Sequence, residues 1–458
     1  MTVLKPDICV LGAGSGGLVV AAGAVQMGAS VVLLEPHKMG GDCLNYGCVP
    51  SKALLAAAAS HPRPTYREAM ERVRAAIAAI EPNDSVERFE GLGVRVIRQA
   101  GRFLDSRTVE AADGTRIRAR RFVVATGSHA MIPAVPGLDG VPYLTNETLW
   151  DLQEAPEHLV VIGGGPIGCE MALAHRRLGS RVTVLERGSL LARDEPELVA
   201  VVRRSLLAEG IAVHEGIGVD AVEPMPGGGV RVRLSAGCTV DGSHLLVAAG
   251  RQATVDGLGL EAGEILLERG AIRTDAAMRT TNARVFAVGD VAGGPQFTHA
   301  ASYQAGVVLK RLLFHLPAKA DHGLVPWATY TDPELSHVGL TEAAARAKHG
   351  DAVRVLLWKM AENDRAIATG RTEGLVKVVA TKHGRILGAS IAAPHAGDLI
   401  LPWCLAIQNR LKIGAMAQVV APYPTLSEAS KRAAGSFYSE SLFSDRTRRI
   451  VRWLQKLP

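Results

Sequence analysis

Asp7-Ile8-Cys9-Val10-Leu11-Gly12-Ala13-Gly14-Ser15-Gly16-Gly17 is a short apolar run that breaks into a cluster of glycines. The run reads as a buried strand, and the alanine-rich stretch after it, through about Gly28, as a helix. Gly12, Gly14 and Gly17 fill a G-x-G-x-x-G frame, with Gly16 inside it. A second strand, Ser30 to Leu34, ends on Glu35, roughly 20 residues beyond the glycines. Strand, turn, helix and acid make a dinucleotide fingerprint, with pyrophosphate at the helix N-terminus and Glu35 on a ribose hydroxyl pair.

The device recurs. Leu159 to Ile162 runs into Gly163-Gly164-Gly165-Pro166-Ile167-Gly168, and the next strand, Arg181 to Leu185, ends on Glu186. Two fingerprints imply two dinucleotides. A carboxylate at Glu186 accepts from ribose hydroxyls and repels a 2′-phosphate, which favours NAD(H); Arg187 beside it softens that discrimination.

Between the two copies stands Gly40-Gly41-Asp42-Cys43-Leu44-Asn45-Tyr46-Gly47-Cys48-Val49-Pro50-Ser51-Lys52. Cys43 and Cys48, four residues between them, can close a disulfide ring. The apolar run from Ala53 to Ala59 reads as a helix with Pro50-Ser51 near its first turn. Cys48 therefore lies near a helix N-terminus, where the macrodipole and Lys52 favour a thiolate. That is a redox pair; a structural disulfide or two buried thiols is the plainer alternative.

The 458 residues allow about three domains. With 48% hydrophobic and 21% charged residues the chain is globular, and six cysteines are too few for a disulfide scaffold. No apolar run reaches the ~20 residues of a membrane span. The first residues lack the pattern of a secretory signal, which points to a reducing cytoplasm, where a disulfide is usually catalytic. A net charge of +6 is a weak signal for nucleic acid, and none is expected as a partner.

With the cysteine segment between two fingerprints, the chain resembles the class I pyridine nucleotide-disulfide oxidoreductases, which include dihydrolipoamide dehydrogenase, glutathione reductase and mercuric reductase. The resemblance implies an α/β fold of two Rossmann-like domains and an α+β dimerisation domain. FAD would occupy residues 1–147 and 275–322, and NAD(H) residues 148–274. Residues 323–440 would form the dimerisation domain and 441–458 a basic amphipathic tail. FAD contacts would come from Gly12, Gly14, Gly16, Gly17, Glu35, Gly41, Asp42, Lys52, Thr126, Gly127, Gly289 and Asp290. NAD(H) would meet Gly163, Gly165, Gly168, Glu186 and Gly250. By the same resemblance Cys48 is the flavin-facing thiol, Cys43 the interchange thiol, and Lys52 and Glu170 an ion pair beside the flavin. The implied enzyme is an FAD-dependent homodimer, its active site shared between subunits, moving electrons between NAD(H) and a small or protein-bound dithiol or disulfide.

One departure stands in Ala421-Pro422-Tyr423-Pro424-Thr425-Leu426-Ser427-Glu428. Thiol-substrate members carry a base histidine where Tyr423 stands, paired with the glutamate matching Glu428. Tyrosine, with a pKa near ~10, is a poor base at neutral pH. Tyr423 and the segment Gly388 to Asn409 look more like mercuric reductase, yet that enzyme's C-terminal cysteine pair and N-terminal metal-carrying domain are not expected here. A metal-ion reductase, an NADH diaphorase and a redox-sensing flavoprotein are therefore the alternatives. His395 reads as a satisfied junction histidine rather than a substitute base. Cys9, Cys169, Cys238 and Cys404 read as small core residues, and no resident metal site is expected. In the tail, Arg446, Arg448, Arg449, Arg452 and Lys456 alternate with Phe443, Ile450, Val451, Trp453, Leu454 and Leu457. Such a helix ordinarily docks on its own or a neighbouring subunit; an anionic membrane surface or an acidic partner is the alternative.

Overall fold

The computed structural model describes residues 3–457. They form two compact units: residues up to Ser189 with Gly210–His322, and Leu190–Glu209 with Gly323 onward.

The first unit holds two parallel sheets. One has the order Val285–Ala287, Arg121–Val124, Ile8–Leu11, Val31–Leu34, Arg95–Ile97. All four residues of Ile8–Leu11 are buried, as a strand covered on both faces requires. The chain leaves that strand first to one side and then to the other, which opens a crevice at its carboxyl end. The second sheet repeats the plan in the order Ala212–Glu215, Arg181–Glu186, His158–Ile162, His244–Val247. The expected strand from Arg121 to Ser128 is interrupted. It stops at Val124, and Ser128–Ala130 pairs separately with Arg251–Ala253. Gly127, at φ +71°, makes the break.

The second unit is built on a five-stranded antiparallel sheet, ordered Trp327–Thr329, Glu334–Gly339, Ile386–Ala393, Leu375–Thr381, Val353–Lys359. Val376 and Val378 pack with Ala429, Ala433 and Ala434 of the helix Glu428–Leu442. Strand alternation sends Lys377 to the opposite face. There its ammonium meets Glu195 at 2.9 Å, Glu197 at 3.0 Å and Glu342 at 2.8 Å. The second oxygen of Glu195 accepts the Glu342 N–H at 2.6 Å. Burial works against the lysine charge, but the hydrogen bonds it donates to Glu342, Glu195 and Glu197 outweigh that and raise its pKa. This cluster accounts for Leu190–Glu209, counted by the sequence reading in the NAD(H) region, folding with the second unit.

The tail helix is Asp445–Leu454. Docking on its own subunit, the ordinary expectation, is not what it does, since none of its residues is buried. No helix among the described residues is long and apolar enough to cross a membrane.

Lys377→Met should destabilise the second unit by ~3–5 kcal/mol, because it strands the buried carboxylate of Glu195. Chemical denaturation followed by tryptophan fluorescence measures it, and adding Glu195→Gln should recover part of the loss.

Candidate active site

The two glycine turns share one geometry. A Cβ on Gly12 would lie 2.3 Å from the carbonyl oxygen of Ala125, and one on Gly163 would lie 2.3 Å from that of Ala248. Gly17 and Gly168 are each so placed that a Cβ would sit 1.9 Å from the oxygen of Gly12 and Gly163. A Cβ on either middle glycine, Gly14 or Gly165, would meet nothing within 4 Å. The outer glycines thus let strand, turn and helix pack, and the middle one leaves backbone open at the N-termini of the helices Ser15–Gln26 and Pro166–Arg177. Gly16 packs its bare Cα toward Val288.

The acids are duplicated as well. Glu35 accepts from the backbone N–H of Ala13 at 2.7 Å and of His37 at 2.8 Å. Glu186 accepts from Gly164 at 2.6 Å and Gly188 at 2.7 Å. Each carboxylate is held by the turn it serves, with lone pairs to spare for hydroxyl donors. These cradles fit dinucleotides.

The cysteine segment is drawn onto the first cradle. Gly40 donates its N–H to Ala13 at 3.0 Å, and a Cβ on Gly41 would fall 2.7 Å from the Cα of Gly14. Cys43 lies in the short helix Gly41–Asn45, and Cys48 is the first residue of Cys48–Ala59, which begins five residues before the expected apolar run. The two thiols hydrogen-bond to each other, and Thr298 Oγ1 lies 3.6 Å from Cys48 Sγ. The Cys43 bond lowers the Cys48 pKa; burial opposes it, and Thr298 and Lys52 add to the lowering. Cys43 moves the other way, raised by its bond to Cys48, by burial and by the neighbouring charge. The two thiols are thus shifted in opposite directions, an asymmetry of the kind that thiol–disulfide exchange uses.

Lys52, one turn after Cys48, bonds Glu170 at 2.7 Å. Glu170 is buried on Pro166–Arg177, so the helix of the second cradle braces the helix of the cysteines. Behind it, His175 Nδ1 donates to the Met171 carbonyl at 2.8 Å, and Nε2 accepts from the Tyr66 hydroxyl at 3.1 Å. Burial pushes the His175 pKa down to about 4, so the ring stays neutral.

Asp290 accepts from the Ser128 hydroxyl, and burial raises its pKa. Arg251 donates to Ser128 Oγ and to the Ser128 carbonyl, both at 2.8 Å, and lies 3.3 Å from Asp42. Thr126 donates to the Thr254 carbonyl at 2.7 Å. Gly127, Gly250 and Gly289 all have positive φ. Thr298, Ser128 and Arg251 were not among the expected site residues. Arg251 carried a signal, a charge directly after the glycine that ends an apolar strand; Thr298 carried none.

In the second unit, Tyr423 is exposed and donates its hydroxyl to Asp364 Oδ2 at 2.8 Å. That bond, with the Asp364 charge, raises the tyrosine pKa. Glu428 heads the helix Glu428–Leu442 and adds to the same effect without being the hydrogen-bond partner. His395 caps the turn Ala396–Leu399 at φ +57°. Cys9 and Cys169 are buried, as expected of core residues, but Cys404 is half-buried and Cys238 is exposed beside a hairpin turn.

Residues 6–305 match the family model described as pyridine nucleotide-disulphide oxidoreductase, and residues 325–434 match its dimerisation domain. A mercuric reductase of Streptomyces lividans is 35% identical over 466 residues, covering 95% of this chain and 96% of that protein. A dihydrolipoyl dehydrogenase of Geobacillus stearothermophilus is 32% identical over 455 residues, covering 94% and 96%. The Cu(II) complex of the HOCl-induced flavoprotein disulfide reductase RclA from Escherichia coli superposes with a TM-score of 0.86 at 26% identity, over 93% of this chain and 98% of that one. The chain belongs to the pyridine nucleotide-disulphide oxidoreductases, enzymes that bind FAD and use NAD(P)H. A homodimer fits its dimerisation domain.

Gly17→Ala and Gly168→Ala should destabilise the fold by ~1–3 kcal/mol or more, read as lowered Tm. Gly14→Ala and Gly165→Ala should leave Tm unchanged while cutting FAD retention and NADH affinity respectively, measured by flavin content and by titration. In the reduced protein, ultraviolet thiolate absorbance should titrate below the ~8.5 of a free thiol. Cys43→Ala should raise that midpoint more than Cys43→Ser, whose hydroxyl keeps a donor, and Cys48→Ser should abolish it.

Proposed function

We propose that this family member carries electrons from NADH to the Cys43–Cys48 pair and on to an acceptor that brings no proton for a base to remove. A soft metal ion held by thiolates, such as Hg(II), fits best. The observation that carries this reading is the Tyr423 hydroxyl donating to Asp364. Its phenol is kept protonated, and a protonated phenol cannot deprotonate a dithiol. The relatives named mercuric reductase support the same reading.

Bound FAD would relay the electron pair between nicotinamide and sulfur. Gly12, Gly14, Gly16 and Gly17 would hold its pyrophosphate side and Glu35 its ribose, with Gly41, Asp42, Thr126, Gly127, Gly289 and Asp290 along the remainder. Gly163, Gly165, Gly168 and Gly250 would hold the nicotinamide dinucleotide, and Glu186 would select NAD(H) by repelling a 2′-phosphate. Lys52, fixed by Glu170, would supply positive charge beside the flavin ring and beside Cys48. Cys48 would face the flavin and Cys43 the substrate, with Tyr423 and Glu428 reaching it from the second subunit. A lipoyl-type dithiol is the second reading, favoured by Glu186 and by the relatives named dihydrolipoyl dehydrogenase.

Anaerobic reduction with NADH followed by Hg(II), lipoamide, lipoyl protein or glutathione disulfide separates these readings. Hg(II) in excess thiol should turn over fastest. Tyr423→His should raise dihydrolipoamide oxidation by ~10²-fold or more. Wild-type turnover of dihydrolipoamide exceeding that of Hg(II) would reverse the order of the two. Undiminished acceptor turnover in Cys43→Ser and Cys48→Ser would sink both and leave a diaphorase.

A further inference from the structure

The helix Asp445–Leu454 follows Phe443 and is capped by Ser444, whose hydroxyl accepts the Thr447 N–H at 3.2 Å. At 100° per residue within the helix, Ile450 and Leu454 fall on one stripe, flanked by Val451 and Trp453, with Phe443 and Leu457 just outside its two ends. Arg448, Arg449 and Arg452 fall on the other side, Arg446 lies between Trp453 and Ile450, and Lys456 follows the helix. The stripe is not packed away: Phe443 is 68% exposed, Trp453 62% and Leu457 53%.

Charge says what the stripe would meet. Residues 445–458 contain five basic side chains and one acid, Asp445, a net +4 out of the +6 of the whole chain. The other 444 residues therefore carry only +2. Among the described residues, Arg448 is the one tail cation with an ion pair, to Asp445 at 3.7 Å. A second copy offering its own tail would set +4 against +4, and the rest of the chain has no acidic surplus to offer instead. The family dimerisation match ends at residue 434, before the helix starts. An apolar stripe bordered by tryptophan and backed by arginines suits the headgroup region of a bilayer.

We infer that the segment from Phe443 onward is a peripheral anchor that lies on anionic lipid surfaces. Its apolar stripe would enter the headgroup–acyl boundary while its arginines neutralise lipid charge, so binding would weaken with salt.

The test is co-sedimentation of the full-length holoenzyme with vesicles of phosphatidylcholine alone or mixed with phosphatidylglycerol. The enzyme should pellet with the mixed vesicles and not with the neutral ones, and raised salt should release it. Replacing Arg448, Arg449 and Arg452 by Gln should weaken binding on the order of a hundredfold. Trp453→Ala with Leu454→Ala should weaken it as well, and neither variant should change NADH-driven turnover. Equal binding by the full chain and by a chain ending at residue 444 would overturn the inference. So would dissociation of the dimer on that truncation without lipid, which would mean that the stripe is covered by a second copy.

Discussion

The bond between Lys52 and Glu170 ties the chemistry of this molecule to its scaffold. Glu170 has only 4% of its side chain exposed, whereas Lys52 keeps 36%. A carboxylate so enclosed requires its partner, since an unpaired buried charge costs several kcal/mol. The helix that closes the second nucleotide cradle and the helix that begins with Cys48 must therefore meet at one point. Everything the thiols can do depends on that meeting, because Lys52 is also one of the charges that favour a thiolate at Cys48.

The thiol asymmetry has a backbone origin. Cys48 opens a helix of 12 residues, and Thr298 opens another of 17. The helix N-terminus favours a thiolate at Cys48, and the bond to Cys43 lowers its pKa further. Cys43, in a helix of five residues, is raised by its bond to Cys48 and by burial, which outweigh the lowering by Thr298. The two thiols thereby differ in proton affinity, although only four residues separate them in the chain.

The glycine cradles and their acids were legible in the sequence because their cause is local. A residue whose Cβ would lie 1.9 Å from a carbonyl oxygen has to be glycine, and a strand of fixed length has to deliver Glu35 or Glu186 to the turn. The helix at Cys48 was legible from its apolar run, with Pro50-Ser51 marking its first turn and Cys48 its N-terminus. Thr298, Asp364 and the carboxylates around Lys377 were not legible, because each meets its partner across a distance in sequence that no pattern records. The Asp364 bond matters most. The family resemblance raised the expectation of a histidine at Tyr423, but nothing in the sequence said that the tyrosine hydroxyl donates to Asp364.

The Lys377 cluster also has a bearing on how the chain is made. Glu195 and Lys377 are separated by 182 positions, with most of the second nucleotide module between them. At a ribosomal pace of 5–20 residues per second, the carboxylate emerges roughly 10 to 35 seconds before the ammonium that neutralises it. During that interval Leu190–Glu209 is an acidic, partly apolar strand of chain without its destination, while the sheets on either side of it in sequence can already close. The nascent protein thus passes through an interval in which the helix Pro196–Ala208 exists without the ion pairs that hold its first turn to the sheet.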